Sequence, residues 1–396
     1  MKALDLVHQV ADTVRLLPQG GPSCCNIAIT NVCNARCDFC NYARDKDRVG
    51  ARAWMGYEDL CQALDILRDR GIRYLTFTGG EPMLHPRLLE MVAYAAYRRM
   101  RPSIVTNGWY LVPEKIERLR EAGLNTVFIS IDAASREAHE ANRGLRGVCE
   151  RISLANDRFD ELGAKSVASV TISRLIGDLE ELIAFLRELG FSTVTFTYPK
   201  RWLGSSSMVF SETSPLIDFD DDDLAKKLEE LLRLKRRFAI LNPAESIAEM
   251  IRFLRGGEQR FPCYGGYKYF LLDWNLDVYR CDFWPTPMCS IGEFRNAELI
   301  RDGCTRCMSV CYRDSSVFYH SAISFGDALR FARRGRFPTA AAALLTRANL
   351  RSLRALFAEW GTLRRLAKIE ARSAAPVPQR GEPRSAATLQ ESGGAR

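Results

Sequence analysis

Three cysteines stand close together near the start of the chain, in the segment Cys33-Asn-Ala-Arg-Cys37-Asp-Phe-Cys40. Thiolates are strong ligands of zinc and of iron-sulfur clusters, so three within eight residues can surround one metal centre. A structural zinc site normally closes with four protein ligands, whereas a cluster with three leaves one iron open for an exogenous group. The spacing therefore favours a four-iron four-sulfur cluster with an open iron. A zinc knuckle or a metal-free loop remains the alternative.

A second group of six cysteines lies within 49 residues, at Cys263, Cys281, Cys289, Cys304, Cys307 and Cys311. The segment Trp274–Cys281 predicts a hairpin strand that ends in a metal ligand. Two distant cysteines together with a CxxC pair form a suitable four-thiolate set for zinc or for an iron-sulfur cluster. The second group therefore predicts a second metal site, which would hold either zinc or an iron-sulfur cluster.

Composition places the chain among globular intracellular proteins. With 396 residues and 47% hydrophobic residues it can bury a large core. The N-terminal segment lacks the apolar run of about 7–15 residues that export requires, so we expect a cytoplasmic location. In a reducing compartment, clustered cysteines bind metals more often than they form disulfides. We find no stretch of about 18 apolar residues, and we therefore expect no transmembrane helix.

The positive charge is concentrated at one end of the chain. Residues 312–396 contain 15 Lys or Arg and 6 Asp or Glu, a net charge of +9, whereas the whole chain carries +8. A nucleic-acid-binding protein would spread such an excess over its folded body, so we expect no nucleic-acid partner.

Short β-branched or aromatic runs alternate with helical patterns between residues 25 and 198, which is typical of repeated βα units around a parallel sheet. Six strands are predicted, at residues 25–30, 74–78, 103–106, 126–131, 167–172 and 193–198. Six units predict a partial (β/α)6 barrel rather than a closed eight-stranded one. The expected organisation is an N-terminal extension (1–22), the partial barrel (23–200), a helical connection (201–258), a small cysteine-rich β-hairpin domain (259–315), basic C-terminal helices (316–373) and a disordered tail (374–396).

Polar residues follow several predicted strands, where ligands of α/β barrels bind. The second strand ends in Gly79, Gly80, Glu81 and Pro82. The glycines would let backbone approach a ligand, and Glu81 would accept a hydrogen bond from an ammonium group. Asn107 follows the third strand, and Ser130 and Asp132 end the fourth. Each of these segments taken alone is also an ordinary turn. Phe39, beside the last cysteine of the first group, is a candidate adenine contact or a loop-packing residue.

The CxxxCxxC loop after the first strand, together with the Gly-Gly-Glu-Pro strand end, resembles the radical S-adenosylmethionine (SAM) superfamily over residues 23–200. The resemblance implies that Cys33, Cys37 and Cys40 hold a four-iron four-sulfur cluster, whose open iron binds the methionine part of SAM. It assigns Gly79 to Pro82 to the methionine amino group. It assigns Asn107, Ser130 and Asp132 to the cofactor or substrate.

The second cysteine group resembles the SPASM or shorter Twitch extension of these enzymes. That resemblance implies one auxiliary four-iron four-sulfur cluster held by Cys263, Cys281, Cys304 and Cys307, with Cys311 or Cys289 as rivals for the fourth position. The full SPASM pattern has seven cysteines and a glycine five residues before the second. Here six are present, and Leu276 takes the place of the glycine.

The expected activity is that of an oxidoreductase or C–H functionalising enzyme. One electron from a flavodoxin- or ferredoxin-type reductant would cleave SAM, and the resulting 5′-deoxyadenosyl radical would take hydrogen from a substrate carbon. A small-molecule or lipid-like substrate is the first expectation, and a ribosomal peptide is the second. A non-catalytic iron-sulfur electron carrier or redox sensor is the alternative from another class.

Between residues 339 and 372, apolar residues recur at helical spacing among arginines and lysines, which predicts a basic amphipathic helix. We expect its apolar face, formed by Leu350, Leu353, Phe357, Trp360 and Leu363, to pack on the folded body. Contact with an anionic membrane surface or an acidic partner is the alternative.

Overall fold

The computed structural model describes residues 14–44, 50–164, 166–199 and 214–362. The expected tail at 374–396, most of the N-terminal extension and residues 201–213 of the connection lie outside these ranges. In the described residues, ten strands form one sheet in the order β10-β9-β8-β1-β2-β3-β4-β5-β6-β7. Their bounds are β1 Ser23–Thr30, β2 Ile72–Gly79, β3 Arg101–Thr106, β4 Thr126–Ile131, β5 Val167–Thr171, β6 Thr193–Thr197, β7 Ala239–Ile240, β8 Tyr269–Leu272, β9 Asp277–Tyr279 and β10 Cys289–Ser290.

Strands β1 to β7 are parallel neighbours in chain order. The first and last strands of the sheet do not meet within the described ranges, so the sheet stays open there. The six predicted strands are all present, within two residues of the expected bounds. The predicted fold class, an α/β partial barrel with C-terminal helices, is confirmed.

The helices cover the sheet with their apolar faces, as in other parallel α/β folds. Leu60, Leu64 and Leu67, the residues that predicted the first long helix, are fully buried in it. The helices are α1 Asn41–Arg44, α2 Tyr57–Asp69, α3 Leu88–Tyr97, α4 Pro113–Glu121, α5 Arg136–Arg143, α6 Val148–Glu161, α7 Leu179–Glu188, α8 Asp221–Leu234, α9 Ala244–Leu254, α10 Ile291–Phe294, α11 Val310–Arg333, α12 Phe337–Leu344 and α13 Arg347–Ala358. No helix in the described ranges is long and apolar enough to cross a membrane.

The cysteine-rich hairpin continues the barrel sheet. Strand β8 pairs in parallel with β1, with Cys24 opposite Tyr269 and Ile27 opposite Leu272. Strand β9 then pairs antiparallel with β8, as the sequence predicted for a hairpin. Backbone hydrogen bonds therefore connect the hairpin directly to the strand that leads into the first cysteine loop.

The orientation of the C-terminal helix differs from the expectation. The large apolar residues of α13, including Leu350 and Phe357, are exposed, whereas Asn349, Ser352 and Ala355 are buried. The expectation that the apolar face packs on the folded body is therefore wrong for the described residues. Asn349 and Ser352 make the contact through hydrogen bonds to the neighbouring helices, and Ala355 packs in an apolar cluster with Phe261 and Val317.

Candidate cluster and cofactor sites

The first cysteine loop holds its three thiols close together. The Cys40 amide donates to the Cys37 carbonyl at 3.2 Å, and the Ala35 amide donates to the Cys33 sulfur at 3.4 Å. Burial raises the pKa of Cys33 to about 12, and the nearby Cys40 adds to that rise. Burial also raises the pKa of Cys37, to which Cys40 and Cys33 contribute. The three predicted ligands are therefore electrostatic neighbours in one buried loop.

Gly79 and Gly80 allow the end of β2 to approach this loop. A β-carbon on Gly80 would lie 2.1 Å from the Val32 carbonyl oxygen, and one on Gly79 would lie 2.1 Å from that of Thr30. Gly79 also has a φ of +122°, which side chains rarely permit. The close approach that requires glycine is thus to the backbone just before Cys33, and it fixes where the cysteine loop begins.

Glu81 connects three segments at this edge of the sheet. Its Oε1 accepts from the Met83 amide at 2.9 Å and from the Thr106 hydroxyl at 2.7 Å, and its Oε2 accepts from the Asn107 amide at 2.7 Å. Burial raises the pKa of Glu81, although these hydrogen bonds act in the opposite direction. Pro82 is buried in the short turn that follows. Glu81 therefore holds the ends of β2 and β3 together, and Oε2 keeps room for a second donor.

Asn107 joins the third strand to the cysteine loop. Its Nδ2 donates to the Asn34 side chain at 2.8 Å, and its Oδ1 accepts from the Trp109 amide at 2.9 Å. Asn34 lies directly after Cys33. The predicted cofactor residue Asn107 is therefore within one hydrogen bond of the first cysteine segment.

Asp132 forms a buried ion pair that sequence reasoning missed. Its Oδ1 accepts from Arg143 Nη2 at 2.7 Å, and its Oδ2 accepts from Asn142 Nδ2 at 2.9 Å. Burial alone would raise the pKa of Asp132, but Arg143 and the other contacts lower it overall. The Arg36 amide donates to the Arg143 carbonyl at 2.8 Å, which attaches the cysteine loop to the end of α5.

Arg143 adds positive charge beside the thiols. It lowers the pKa of Cys33, Cys37 and Cys40 against the effect of burial. Its Nε is buried without a hydrogen-bond partner. A cationic side chain with a free donor beside three thiols suits an anionic cluster with sulfur acceptors. The sequence feature that pointed to Arg143 was its place on the same helical face as His139, in the highly charged segment that forms α5.

The other predicted residues of the first site occupy different surroundings. Phe39 is buried against Ile217 and Phe283, so the described contacts are those of loop packing. Ser130 lies on β4, half-buried, opposite Ser169 of β5.

Four cysteines of the second group also come together. The Cys263 amide donates to the Cys304 carbonyl at 3.1 Å. Burial raises the pKa of Cys263, with contributions from Cys307 and Cys304. Burial raises the pKa of Cys281 to about 12, with contributions from Cys307 and Cys263. Cys263 is thus an electrostatic neighbour of Cys281, Cys304 and Cys307, and these four cysteines are the set expected for one auxiliary cluster.

Cys311 and Cys289, the rivals for the fourth ligand position, have different surroundings from the four expected ligands. Cys311 is exposed at the start of α11, and its charge acts on Tyr269 and Tyr312. Cys289 lies in β10, where the charges that act on it come from Glu293, Arg70 and Asp277.

Arg313 is the residue of the second site that sequence reasoning missed. It is 2% exposed, and its Nε and Nη1 are buried without hydrogen-bond partners. Burial lowers its pKa, whereas Cys263, the carboxylate of Glu249, Cys307 and Cys304 act to raise it. A buried guanidinium with two free donors next to three thiols again suits an anionic, sulfur-rich group. The only feature of the sequence that pointed to Arg313 was its position two residues after Cys311.

The donor chemistry of both cysteine groups suits iron-sulfur clusters. In the part of the chain that the structure describes, no three His, Cys, Asp or Glu side chains are arranged to hold one metal ion. Thiolates on a tetrahedral zinc would lie about 3.8 Å apart, because each Zn–S bond is about 2.3 Å. Thiolates of a four-iron cluster bind different iron atoms and lie farther apart. Both cysteine groups, each with an unpartnered arginine donor, therefore fit iron-sulfur clusters.

Leu276 adopts a backbone conformation that favours glycine. Its φ is +68°, in the left-handed region. Asp273 holds the turn, since its Oδ1 accepts from the Asn275 and Asp277 amides at 2.9 Å each. The tight turn between β8 and β9 is therefore kept without glycine, and it directs the chain back toward Cys281.

Comparisons with known proteins agree with this geometry. Residues 27–199 match the radical SAM superfamily. An AdoMet-dependent heme synthase of Nitratidesulfovibrio vulgaris is 28% identical over 169 residues, which are 42% of this chain and 46% of that protein. A GTP 3′,8-cyclase of Mycobacterium marinum is 33% identical over 174 residues, 42% of this chain and 47% of that protein. The chain thus spans less than half the length of these curated relatives.

Similarity to solved structures extends beyond that region. Streptococcus suis SuiB bound to the precursor peptide SuiA superposes with a TM-score of 0.53 at 15% identity, over 82% of this chain and 77% of that one. The enzyme anSMEcpe with bound AdoMet and a peptide gives 0.53 at 15% identity, over 88% and 99%. At such identities the likeness concerns the fold. The sequence match and the cysteine loop together identify residues 27–199 of the chain as a radical SAM domain.

Proposed function

We propose that the chain is a radical SAM enzyme that oxidises or otherwise functionalises a substrate C–H bond with the help of one auxiliary iron-sulfur cluster. The observation that carries this proposal is the pair of largely buried cysteine groups, each beside an arginine with unpartnered donors. The first group follows β1, and the second flanks the hairpin whose strand β8 pairs with β1.

The first site would hold a four-iron four-sulfur cluster on Cys33, Cys37 and Cys40. With SAM bound, that group supplies one-electron cleavage of SAM to a 5′-deoxyadenosyl radical, which takes a hydrogen atom from the substrate. Glu81 Oε2 carries one hydrogen bond and is the acceptor that we assign to the methionine ammonium group. Arg143 compensates negative charge at the thiolates.

The second site would hold the auxiliary cluster on Cys263, Cys281, Cys304 and Cys307, which would accept the second electron of a two-electron oxidation. Arg313 stabilises negative charge there. Since β8 adjoins β1, residues on both strands position the two sites relative to each other.

A peptide is the substrate class that the comparisons favour. SuiB and anSMEcpe were both solved with peptides bound, and the Bacillus subtilis subtilosin biosynthesis protein AlbA is 24% identical over 175 residues. A small-molecule or lipid-like substrate is the alternative, and a flavodoxin- or ferredoxin-type protein is the expected reductant.

Anaerobic reconstitution followed by iron and sulfide analysis tests the cluster assignment. The native chain should hold about eight irons. Cys33→Ala and Cys304→Ala should each lose about four, whereas the matched control Cys289→Ala should keep all of them. Full loading of Cys304→Ala would contradict the auxiliary site.

Chromatography after reduction with dithionite in the presence of SAM tests the activity. We expect 5′-deoxyadenosine from the native chain and none from Cys33→Ala. A loaded and reduced native protein that yields no 5′-deoxyadenosine would instead support an electron carrier or redox sensor. S-adenosylhomocysteine would indicate methyl transfer.

A further inference from the structure

Helix α13 is attached to the body through its polar face. Ser352 Oγ donates to the Val317 carbonyl at 2.6 Å, and Asn349 Nδ2 donates to the carbonyls of Ala343 and Leu344 at 2.8 and 3.0 Å. Just beyond the helix, buried Glu359 accepts from Lys235 Nζ at 3.1 Å. These hydrogen bonds fix the rotation of the helix about its axis.

The opposite side of the same segment is a stripe of large apolar residues. Leu350, Leu353, Phe357 and Trp360 are spaced by three, four and three residues, so they share one face of a helix. They are between 44% and 78% exposed. We call these four residues the α13 stripe. No other part of the described chain covers it.

Helix α12 and the turn before α13 expose further apolar side chains. Phe337 begins α12 and is 67% exposed, and Leu345 between the two helices is 85% exposed. A single exposed leucine is ordinary, but large aromatic and aliphatic residues that recur along one helical hairpin indicate a contact surface.

The charges around the α13 stripe are of one sign. Residues 328–362 contain seven arginines and one acidic residue, and that residue is the buried Glu359. Arg347 and Arg354 are exposed on α13, and the end of α11 with the α11–α12 connection adds exposed Arg333, Arg334 and Arg336. Exposed cations beside Trp, Phe and Leu are the composition of helices that lie in the interface of an anionic membrane.

We propose that the α12–α13 hairpin docks the protein on an anionic lipid surface. The α13 stripe would enter the boundary between headgroups and acyl chains, and Arg347 and Arg354 would contact the lipid phosphates. A soluble acidic partner would satisfy the arginines but would leave unexplained why Trp360 and Phe357 project outward. The proposal does not depend on the chemistry of the cluster sites.

Vesicle flotation of the full, cluster-loaded chain tests the docking. We expect the protein to float with vesicles of phosphatidylglycerol and phosphatidylcholine, and not with phosphatidylcholine alone. Leu350→Ser, Phe357→Ser and Trp360→Ser combined should weaken binding roughly 100-fold or more. The matched control combines Tyr97→Ser with Leu154→Ser, equally exposed apolar residues elsewhere, and should bind like the native chain.

A second set of variants tests how much the arginines contribute to vesicle binding. Arg347→Gln and Arg354→Gln should each weaken binding roughly fivefold. Arg118→Gln and Arg146→Gln, which change exposed arginines on the barrel, should have no effect. Equal flotation with both vesicle types, no flotation at all, or unchanged binding by the triple serine variant would overturn the proposal. A dimer in light scattering that the triple variant converts to a monomer would also overturn it, since the stripe would then be a self-association surface.

Discussion

Arg143 and Asp132 form an ion pair that is almost completely buried beside the first cysteine loop, with 2.7 Å between Nη2 and Oδ1. The pair connects the end of β4 to the end of α5, and the backbone of Arg143 holds Arg36. The structure thus couples the charge at the thiols to the position of the loop that carries them.

Removal of one partner of this pair should be costly. Arg143→Met leaves Asp132 buried and unpaired, so we expect the free energy of unfolding to fall by about 3–5 kcal/mol. The double variant Asp132→Asn, Arg143→Met should recover part of that loss. Urea unfolding of the metal-free, reduced protein measures both. As a control, Arg255→Met, which breaks an exposed pair with Glu229, should change stability little. Additive losses would contradict the coupling.

Gly80→Ala should displace the cysteine loop. Its β-carbon would lie 2.1 Å from the Val32 carbonyl oxygen, and backbone cannot move away as a flexible side chain can. We expect about four irons to be lost from the first site, while the second site loads normally. Iron analysis of Gly80→Ala should be compared with Gly292→Ala, where a β-carbon meets open space. Full loading of Gly80→Ala would refute this prediction.

Arg313 should set the reduction potential of the auxiliary cluster. Loss of a buried positive charge disfavours the added electron, so Arg313→Met should lower the potential by tens of millivolts. A potentiometric titration followed by electron paramagnetic resonance, in a chain lacking Cys33, Cys37 and Cys40, measures it. Arg306→Met, exposed beside the same cysteines, should shift the potential much less because water screens its charge. Equal shifts would argue against a special role of Arg313.

Leu276 should tolerate glycine better than alanine. Both substitutions remove the same packing, but only glycine adopts a φ of +68° without strain. We expect Leu276→Gly to be more stable than Leu276→Ala by about 1 kcal/mol in urea unfolding. At Leu271 in β8 the order should reverse, since glycine weakens a strand. The same order at both positions would contradict the strain argument.

His139 should make the fold sensitive to acid. Burial lowers its pKa to about 4, and its Nδ1 accepts from the Asp132 amide at 3.1 Å. Above about pH 6.5, His139 is neutral in both the folded and the unfolded chain, so its full contribution to the free energy of unfolding is present. As the pH falls from 6.5 to 4, only the unfolded chain takes up the proton, so up to about 3 kcal/mol of stability is lost. His139→Asn keeps an acceptor and should show a shallower decline of unfolding free energy with pH. Parallel curves would exclude His139 as the cause.

The sequence by itself determined the features that depend on local spacing. Three cysteines within eight residues predicted the first ligand loop, and leucines at helical spacing predicted α2, because both patterns act between residues that are close along the chain. The six strands followed from their composition for the same reason. The left-handed turn at Leu276 lies at the position where the SPASM pattern has a glycine.

Only the tertiary structure decided which distant residues meet. Arg143 reaches the first thiols although it lies more than 100 residues after Cys40 along the chain. Arg313 reaches the second thiols. The hairpin of the second site joins β1 through pairing across more than 200 residues. The direction of the α13 stripe depended on hydrogen bonds from Asn349 and Ser352 to neighbouring helices. A hydrophobic pattern specifies that one face is apolar, but not whether that face meets the protein or its surroundings.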